Sequence, residues 1–301
     1  LQRLNLQHLI WTKLIGGLYP SDLADVIERR LSSNADSEVL DIGCGTGIWA
    51  FEMSTRFPKI RVTGLDITDW NHSCSTLPQN YQFMQCDISK GLPQKFSARF
   101  DLIQCRTVLQ HLTHPQRLVD EMAWCLKPGG VLLVADLELS QGSFNRSKAR
   151  IKPFIYSVSM TPEENIRAGD SDREVSWLAG WLRAFGLGLE SEEYQRPDKL
   201  AEKSDLLTDV KLRDIWMDVA FSDSGLSRGK DQDVRELISV NYLRVFDAVR
   251  SILARQGIPI SFVQDVWEKR ILLELETREF TSLWHFVSAV RRDAGEDVVD
   301  S

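Results

Sequence analysis

One stretch, Val39-Leu40-Asp41-Ile42-Gly43-Cys44-Gly45-Thr46-Gly47-Ile48-Trp49-Ala50, limits what this chain can fold into more than any other. An apolar run ends at an acid, three glycines alternate with other residues, and a helix-periodic pattern follows. Strand, glycine turn and helix in that order offer backbone N–H groups and a helix N-terminus to a nucleotide-like ligand. Glycine at 43, 45 and 47 permits positive φ and leaves bare backbone for the ligand to approach. A second acid arrives on schedule. Ile60-Arg61-Val62-Thr63-Gly64-Leu65-Asp66 reads as the next strand, and Asp66 ends it about 20 residues past the glycines, where ribose hydroxyls are gripped.

Two cofactors compete for such a turn. Gly45-Thr46-Gly47-Ile48-Trp49-Ala50 satisfies the dinucleotide pattern G-x-G-x-x-G/A. Asp41 opposes that reading, because a carboxylate at the start of the turn would repel a pyrophosphate lying on the glycines. The same carboxylate suits a ligand bearing an ammonium and a sulfonium, since opposite charges attract strongly in a partly dry cleft. S-adenosylmethionine carries both groups and an adenosine.

From Ser37 onward, strand and helix patterns alternate, the signature of a mostly parallel sheet in an α/β fold. Strands are expected at 38–41, 61–66, 82–86, 100–104 and 131–136, with helices at 47–56 and 115–126. Lys127-Pro128-Gly129-Gly130 carries Pro and Gly where a type II turn wants them. Two helices, 3–18 and one opened by Pro20, precede the first strand and either cover the sheet's carboxyl edge or simply pack against the core. After Asp136 the pattern turns polar and irregular through Asp172; the alternating Arg146, Lys148, Arg150 and Lys152 read as a solvated loop better than as a nucleic-acid patch. Helices at 173–185, 197–208, 231–256 and 262–276 and strands at 212–221 and 282–290 complete the reading. The domain plan is an N-terminal cover (1–36), a Rossmann-like core (37–140), a cap or acceptor segment (141–206) and a C-terminal part of the sheet with inserted helices (207–301).

Beyond the turn, the cofactor candidates lie at strand ends. Asp87, with Ile88, follows strand 3, where a carboxylate can accept from an adenine amino group or simply cap a turn. Ile67 follows Asp66, and Gln104-Cys105-Arg106 closes strand 4 beside strand 1, at the switch point where ligands settle. Trp49 and Trp70 could flank an adenosine, or serve as core. His111 is the candidate general base, because imidazole titrates near neutrality; the alternatives are a backbone bond or a cap on the next helix. His111 and His114 have metal-ligand spacing, but no third ligand completes a set, and no metal is expected. Asp136 and Glu138 either orient an acceptor or end strand 5, and Trp177 and Trp181, one helical turn apart, are pocket wall or core.

The net charge of −7 gives no electrostatic footprint for nucleic acid or an anionic membrane. Five scattered cysteines without C-x-x-C favour a reducing compartment, hence the cytoplasm. No apolar run approaches membrane-spanning length.

Residues 38–138 resemble the class I S-adenosylmethionine-dependent methyltransferases, whose first motif looks like Asp41-Ile42-Gly43-Cys44-Gly45-Thr46-Gly47. Arg3-Leu4-Asn5-Leu6-Gln7-His8, Trp49 and Leu283-Trp284-His285-Phe286-Val287 further resemble fungal secondary-metabolism, LaeA-like methyltransferases. The resemblance implies a doubly wound seven-stranded sheet with its last strand antiparallel, cofactor contacts from Asp41, Gly43, Cys44, Gly45, Thr46, Gly47, Asp66, Ile67, Asp87, Ile88, Cys105 and Arg106, and a small-molecule acceptor. Three functions are in play: O- or N-methylation of a small molecule in secondary metabolism, a LaeA-like regulator working through protein partners and placed in the nucleus, and, remotely, a nicotinamide oxidoreductase.

Overall fold

The computed structural model describes residues 2–33, 36–69, 77–138, 151–188, 195–219, 232–277 and 280–293. The opening apolar pattern forms α1 (Gln2–Ile15), ended by Gly16 and Gly17, and a 3-10 turn after Pro20 leads into α2 (Ala24–Ser32). Then come β1 (Glu38–Ile42), α3 (Ile48–Arg56), β2 (Arg61–Asp66), β3 (Tyr81–Gln85), β4 (Phe100–Arg106), α4 (Pro115–Cys125) and β5 (Leu126–Leu137). The chain continues through β6 (Lys152–Pro153), α5 (Pro162–Ser171), β7 (Val175–Ser176), α6 (Trp177–Gly188), α7 (Pro197–Glu202), β8 (Leu207–Val219) and α8 (Gln232–Arg255). A single turn α9 (Ile260–Phe262), a π-helical turn at Val263–Trp267, α10 (Glu268–Thr277) and β9 (Phe280–Arg291) close it.

Seven strands form one sheet in the order β3-β2-β1-β4-β5-β9-β8, with β1 to β5 parallel and the last strand antiparallel, as the resemblance implied. The order reverses between β1 and β4, so the carboxyl ends of these two strands flank the switch point. Register aligns the chemistry: Asp41 lies opposite Gly64 on one side and Gln104 on the other. Every residue of β1 is buried, as expected for a parallel strand covered on both faces. Leu40, Ile42, Leu65, Ile103, Leu118, Met122 and Leu132 belong to one buried cluster, so the strand ends bearing polar groups stand on a rigid floor.

The chain clusters into two compact units, one of Leu1–Asp136, Ser191–Asp214 and His285–Ser301, the other of Leu137–Glu190 and Ile215–Trp284. In the second unit, Phe154 stacks on Trp177 at 4.1 Å, Trp181 meets Phe246 edge-on at 5.2 Å, and the buried Glu274 carboxylate accepts from Leu178 N at 2.8 Å at the start of α6.

Several expectations need correction. The irregular stretch after Asp136 contains α5, whose Thr161 and Glu164 form a reciprocal capping box behind Pro162. Its acidic residues and scant apolar content hide it from a periodicity search. The helix expected at 173–185 begins at Trp177, because residues 175–176 pair with β6 instead. The helix from Pro197 stops at Glu202 rather than Thr208, and Leu207 already belongs to β8. β5 begins at Leu126: Leu126 pairs with Phe100, the ladder shifts, and it resumes with Val131 against Leu102. The turn expected at 127–130 is instead a shift of register within the continuous strand β5, where Gly129 takes φ +68°. The helix from 262 contains the π turn, which carries the buried Trp267 with its indole N–H donating to Trp177 O at 2.8 Å. Among the described residues no helix is long and apolar enough to cross a membrane, and no His, Cys, Asp and Glu cluster could hold a metal ion.

Candidate active site

The glycine turn is built as its sequence demands. Gly43, Gly45 and Gly47 sit at φ +66°, +55° and +74°, where side chains are strained. A Cβ on residue 43 would also fall 2.3 Å from Val108 Cγ2. Gly47 caps α3, and the turn is tied down by Cys44 N donating to Leu65 O at 2.8 Å. Asp66 does more than end β2. Its Oδ2 accepts from Gly45 N at 2.8 Å and its Oδ1 from Thr68 N at 2.9 Å, so one carboxylate clamps the turn and the loop after β2. Its remaining lone pairs are those a ribose could use.

Asp41 lies at the floor of this turn and is 3 % exposed. Gln104 Nε2 donates to it over a long 3.4 Å, and Gln104 Oε1 is buried with no hydrogen-bond partner among the described residues. Burial pushes the Asp41 carboxyl up to about 7; the Arg106 charge and the Gln104 bond pull the other way, and the nearby Asp66 charge adds to the rise. Such a carboxyl is half-ionised near neutrality and has no cation bonded to it among the described residues. Together with the orphaned Gln104 oxygen it suits a positively charged group.

Arg106, at the end of β4, is enclosed as well. Burial lowers its pKa to about 10, against the stabilising charges of Asp41 and Glu52. Its Nη2 meets His8 Nδ1 of α1 at 3.0 Å, and His8 Nε2 lies 3.2 Å from Glu52 Oε2 of α3. His8 is 6 % exposed, and its pKa is lowered first by burial, then by Arg106, with Glu52 opposing. Asn5 Oδ1 accepts from Thr46 Oγ1 at 2.7 Å, and Leu4 lies over Gly45. Helix α1 therefore rests directly on the glycine turn. Asn5, His8 and Glu52 were not identified as site groups from sequence; the available signal was a histidine within an apolar helical stripe.

The other candidates are more dispersed. Asp87 accepts from Ser89 N at 3.1 Å and Ser89 Oγ at 2.6 Å, capping the 3-10 turn Ile88–Lys90, and these bonds hold its carboxyl below the usual range. Cys86 N donates to Asp66 O at 2.9 Å, so Asp87 and Ile88 stand beside the end of β2. Ile67 is 62 % exposed next to Asp66, and burial raises the thiols of Cys44 and Cys105, which favours the neutral form of each. Trp49 is fully buried with its indole N–H donating to Leu18 O at 2.9 Å, so it is core and not an adenosine wall; Trp70 lies outside the described residues. Trp177 and Trp181 are likewise core of the second unit and not pocket wall. Asp136 is wholly buried at the end of β5, and Glu138 N donates to Leu283 O at 2.9 Å.

His111 ends the 3-10 turn Leu109–His111 after β4, with an exposed side chain. Its backbone N–H donates to Val108 O at 2.9 Å, and the cap position of α4 belongs to His114. Partial desolvation and the Arg3 charge lower its pKa, keeping the imidazole neutral at physiological pH.

A glycine turn at a switch point, with a buried carboxylate awaiting a cation, agrees with the family comparison. A methyltransferase-domain family model matches residues 17–188, more than half of the chain. The chain belongs to the class I S-adenosylmethionine-dependent methyltransferases. Its cofactor is S-adenosylmethionine, which displaces the nicotinamide alternative. The chain is 27% identical over 195 residues to the secondary metabolism regulator laeA of Coprinopsis cinerea, a match covering 62% of this chain and 47% of that protein. It is 28% identical over 192 residues to a ubiquinone biosynthesis O-methyltransferase of Xylella fastidiosa, covering 60% of this chain and 75% of the other. It is 35% identical over 112 residues to a malonyl-[acyl-carrier protein] O-methyltransferase of Halalkalibacterium halodurans, covering 35% and 41%. The chain thus spans about half the length of the regulator and three quarters of the ubiquinone-pathway enzyme.

Proposed function

We propose that this methyltransferase acts on a small molecule, transferring a methyl group to oxygen or nitrogen in fungal secondary metabolism, in the cytoplasm. The observation that supports the cofactor part of the reading is Asp41, a buried carboxylate with no cation bonded to it among the described residues, beneath three positive-φ glycines. In this reading the turn from Gly43 to Gly47, with Cys44 and Thr46, holds the cofactor's amino-acid end, and Cys105 and Arg106 line the same corner. Asp66, with Ile67 beside it, takes the ribose, and Asp87 and Ile88 meet the adenine. S-adenosylmethionine, when bound, supplies a methyl group already activated on sulfonium, so the protein's task is alignment and removal of the acceptor's proton. His111 is the proposed base, because it is exposed, neutral and free of side-chain bonds among the described residues. The Xylella and Halalkalibacterium relatives are both named O-methyltransferases, which supports oxygen as the acceptor atom.

The likeness to the Coprinopsis regulator favours a second reading, in which the same site serves a nuclear protein that works through partners. Calorimetry with S-adenosylhomocysteine and NAD, followed by single-turnover methyl transfer to a panel of phenols, carboxylic acids and amines, tests both. Binding of the first ligand alone, with transfer, supports the enzyme; binding without any transfer favours the regulator.

A further inference from the structure

Helix α1 brings a histidine to an arginine 98 residues away, and the contact engages one terminal nitrogen of the guanidinium. Arg106 Nη2 meets His8 Nδ1 at 3.0 Å, while Nη1 is buried with no hydrogen-bond partner among the described residues. A buried N–H without a partner is destabilising, so an arginine kept only for structure would have both nitrogens engaged. Asp41 is close enough to interact with Arg106 electrostatically, yet it is not bonded to Nη1. Thr107, the next residue, is a β-branched residue at φ +54°, held by its N–H donating to Ala135 O at 2.7 Å. That strained backbone fixes the direction in which Arg106 leaves β4.

The corner therefore contains an acid in need of a cation and, beside it, an orphaned donor in need of an anion. A free α-amino acid end is a ligand with both. We propose that Arg106, oriented by His8 of α1, is the receptor for the carboxylate of the cofactor's amino-acid moiety, and that His8 is a positioning residue for it. The assignment rests on the placement of S-adenosylmethionine at the glycine turn. Nη1 meets the carboxylate while Asp41 and Gln104 Oε1 take the ammonium. His8 Nδ1 accepts from Nη2, and Glu52 on the far side of the ring at 3.2 Å fixes the imidazole by engaging Nε2. Because His8 rides on α1, which also touches Thr46 through Asn5, docking of α1 and recognition of the carboxylate become one event.

The same donor could instead serve a carboxylate on the acceptor, and the test separates the two sources. Calorimetry compares S-adenosylhomocysteine with its decarboxylated analogue, which keeps the adenosine, thioether and amine. Wild type is expected to prefer the carboxylated ligand on the order of ten- to hundredfold, the range of a charge-assisted hydrogen bond. Arg106→Gln should erase the preference by weakening S-adenosylhomocysteine alone, and Arg106→Lys should keep part of it. His8→Ala should reduce the preference, and His8→Asn, whose amide oxygen stands near the Nδ1 position, should restore it better than His8→Gln. Equal weakening of both ligands in Arg106→Gln and Arg106→Lys would overturn the proposal, as would a wild type that binds the two alike. The cofactor assignment would survive either result. Failure of wild type to bind either ligand would overturn the cofactor assignment and the clamp with it.

Discussion

Replacing Asp41 by asparagine should make the folded protein more stable and its cofactor binding weaker. The carboxyl's pKa, about 7 in the fold against 3.8 for a free aspartate, measures what burial costs the ionised form. Between about pH 4 and 7 the folded chain holds a proton that the unfolded chain has lost, so stability falls as pH rises through this window and levels above it. The difference corresponds to about 4 kcal/mol at pH 8. The amide introduced by Asp41→Asn carries no charge, matches the volume, and can donate to the orphaned Gln104 Oε1. Urea unfolding at pH 8 should therefore show a gain of up to about 4 kcal/mol, falling below about 1 kcal/mol near pH 4, where Asp41 is protonated in the fold and partly so in the unfolded chain. Binding should move the other way. Loss of the carboxylate facing an ammonium should weaken S-adenosylhomocysteine about ten- to hundredfold. Wild-type affinity should fall below pH 7, by up to about tenfold per pH unit, as the proton competes with the ligand, and the Asp41→Asn variant should lack this limb. A stability gain equal at both pH values would refute the burial argument. Unchanged affinity in the variant would refute the placement of the cofactor's cation.

Three further outcomes follow from the same geometry. Gly43→Ala combines a left-handed φ of +66° with a Cβ that would fall 2.3 Å from Val108 Cγ2, so calorimetry should detect no cofactor binding and thermal melts should show a loss of about 1–3 kcal/mol. Asp66→Ala releases Gly45 N and Thr68 N as well as any ribose contact, so affinity should fall at least about tenfold and the melting temperature should drop with it; a purely ribose-binding Asp66 would lower affinity alone. His111→Ala should lower kcat about 10²–10⁴-fold on the true acceptor with cofactor affinity intact, and the acid limb of single-turnover transfer should vanish in His111→Gln; an identical limb in both proteins would remove His111 from the chemistry.

The core of the fold was legible because its signals are local. A parallel strand buried on both faces must be an apolar run, and a glycine turn needs glycines, so β1, the turn, α3 and β2 fall where the sequence places them. The Pro-Gly pair before Val131 reads locally as a turn, but pairing with β4 draws residues 126–130 into β5 with a shift of register. Helix α5 escaped notice although Thr161-Pro162-Glu163-Glu164 encodes its capping box, because the following residues lack an apolar stripe. Single aromatic side chains leave core and pocket both open in the sequence. Trp49, Trp177 and Trp181 look alike in sequence whether they line a pocket or fill a core, and packing alone made them core.

Local signals in the sequence suffice for the type of the core elements and for the residues at their ends: Asp41 near the end of the first strand, Asp66 closing the second, Arg106 the fourth. These depend on φ/ψ preferences and on the spacing of apolar residues, which act over a few neighbours. What those end residues touch is set by the assembled fold. Asp66 reaches back 21 residues to Gly45, His8 reaches 98 residues to Arg106, and the last strand inserts between β5 and β8. Such pairings are set by how packed layers share one core, a free energy of the whole sheet that no local window contains. The raised Asp41 carboxyl belongs to the same class: an aspartate has an ordinary pKa until the surrounding fold removes its water.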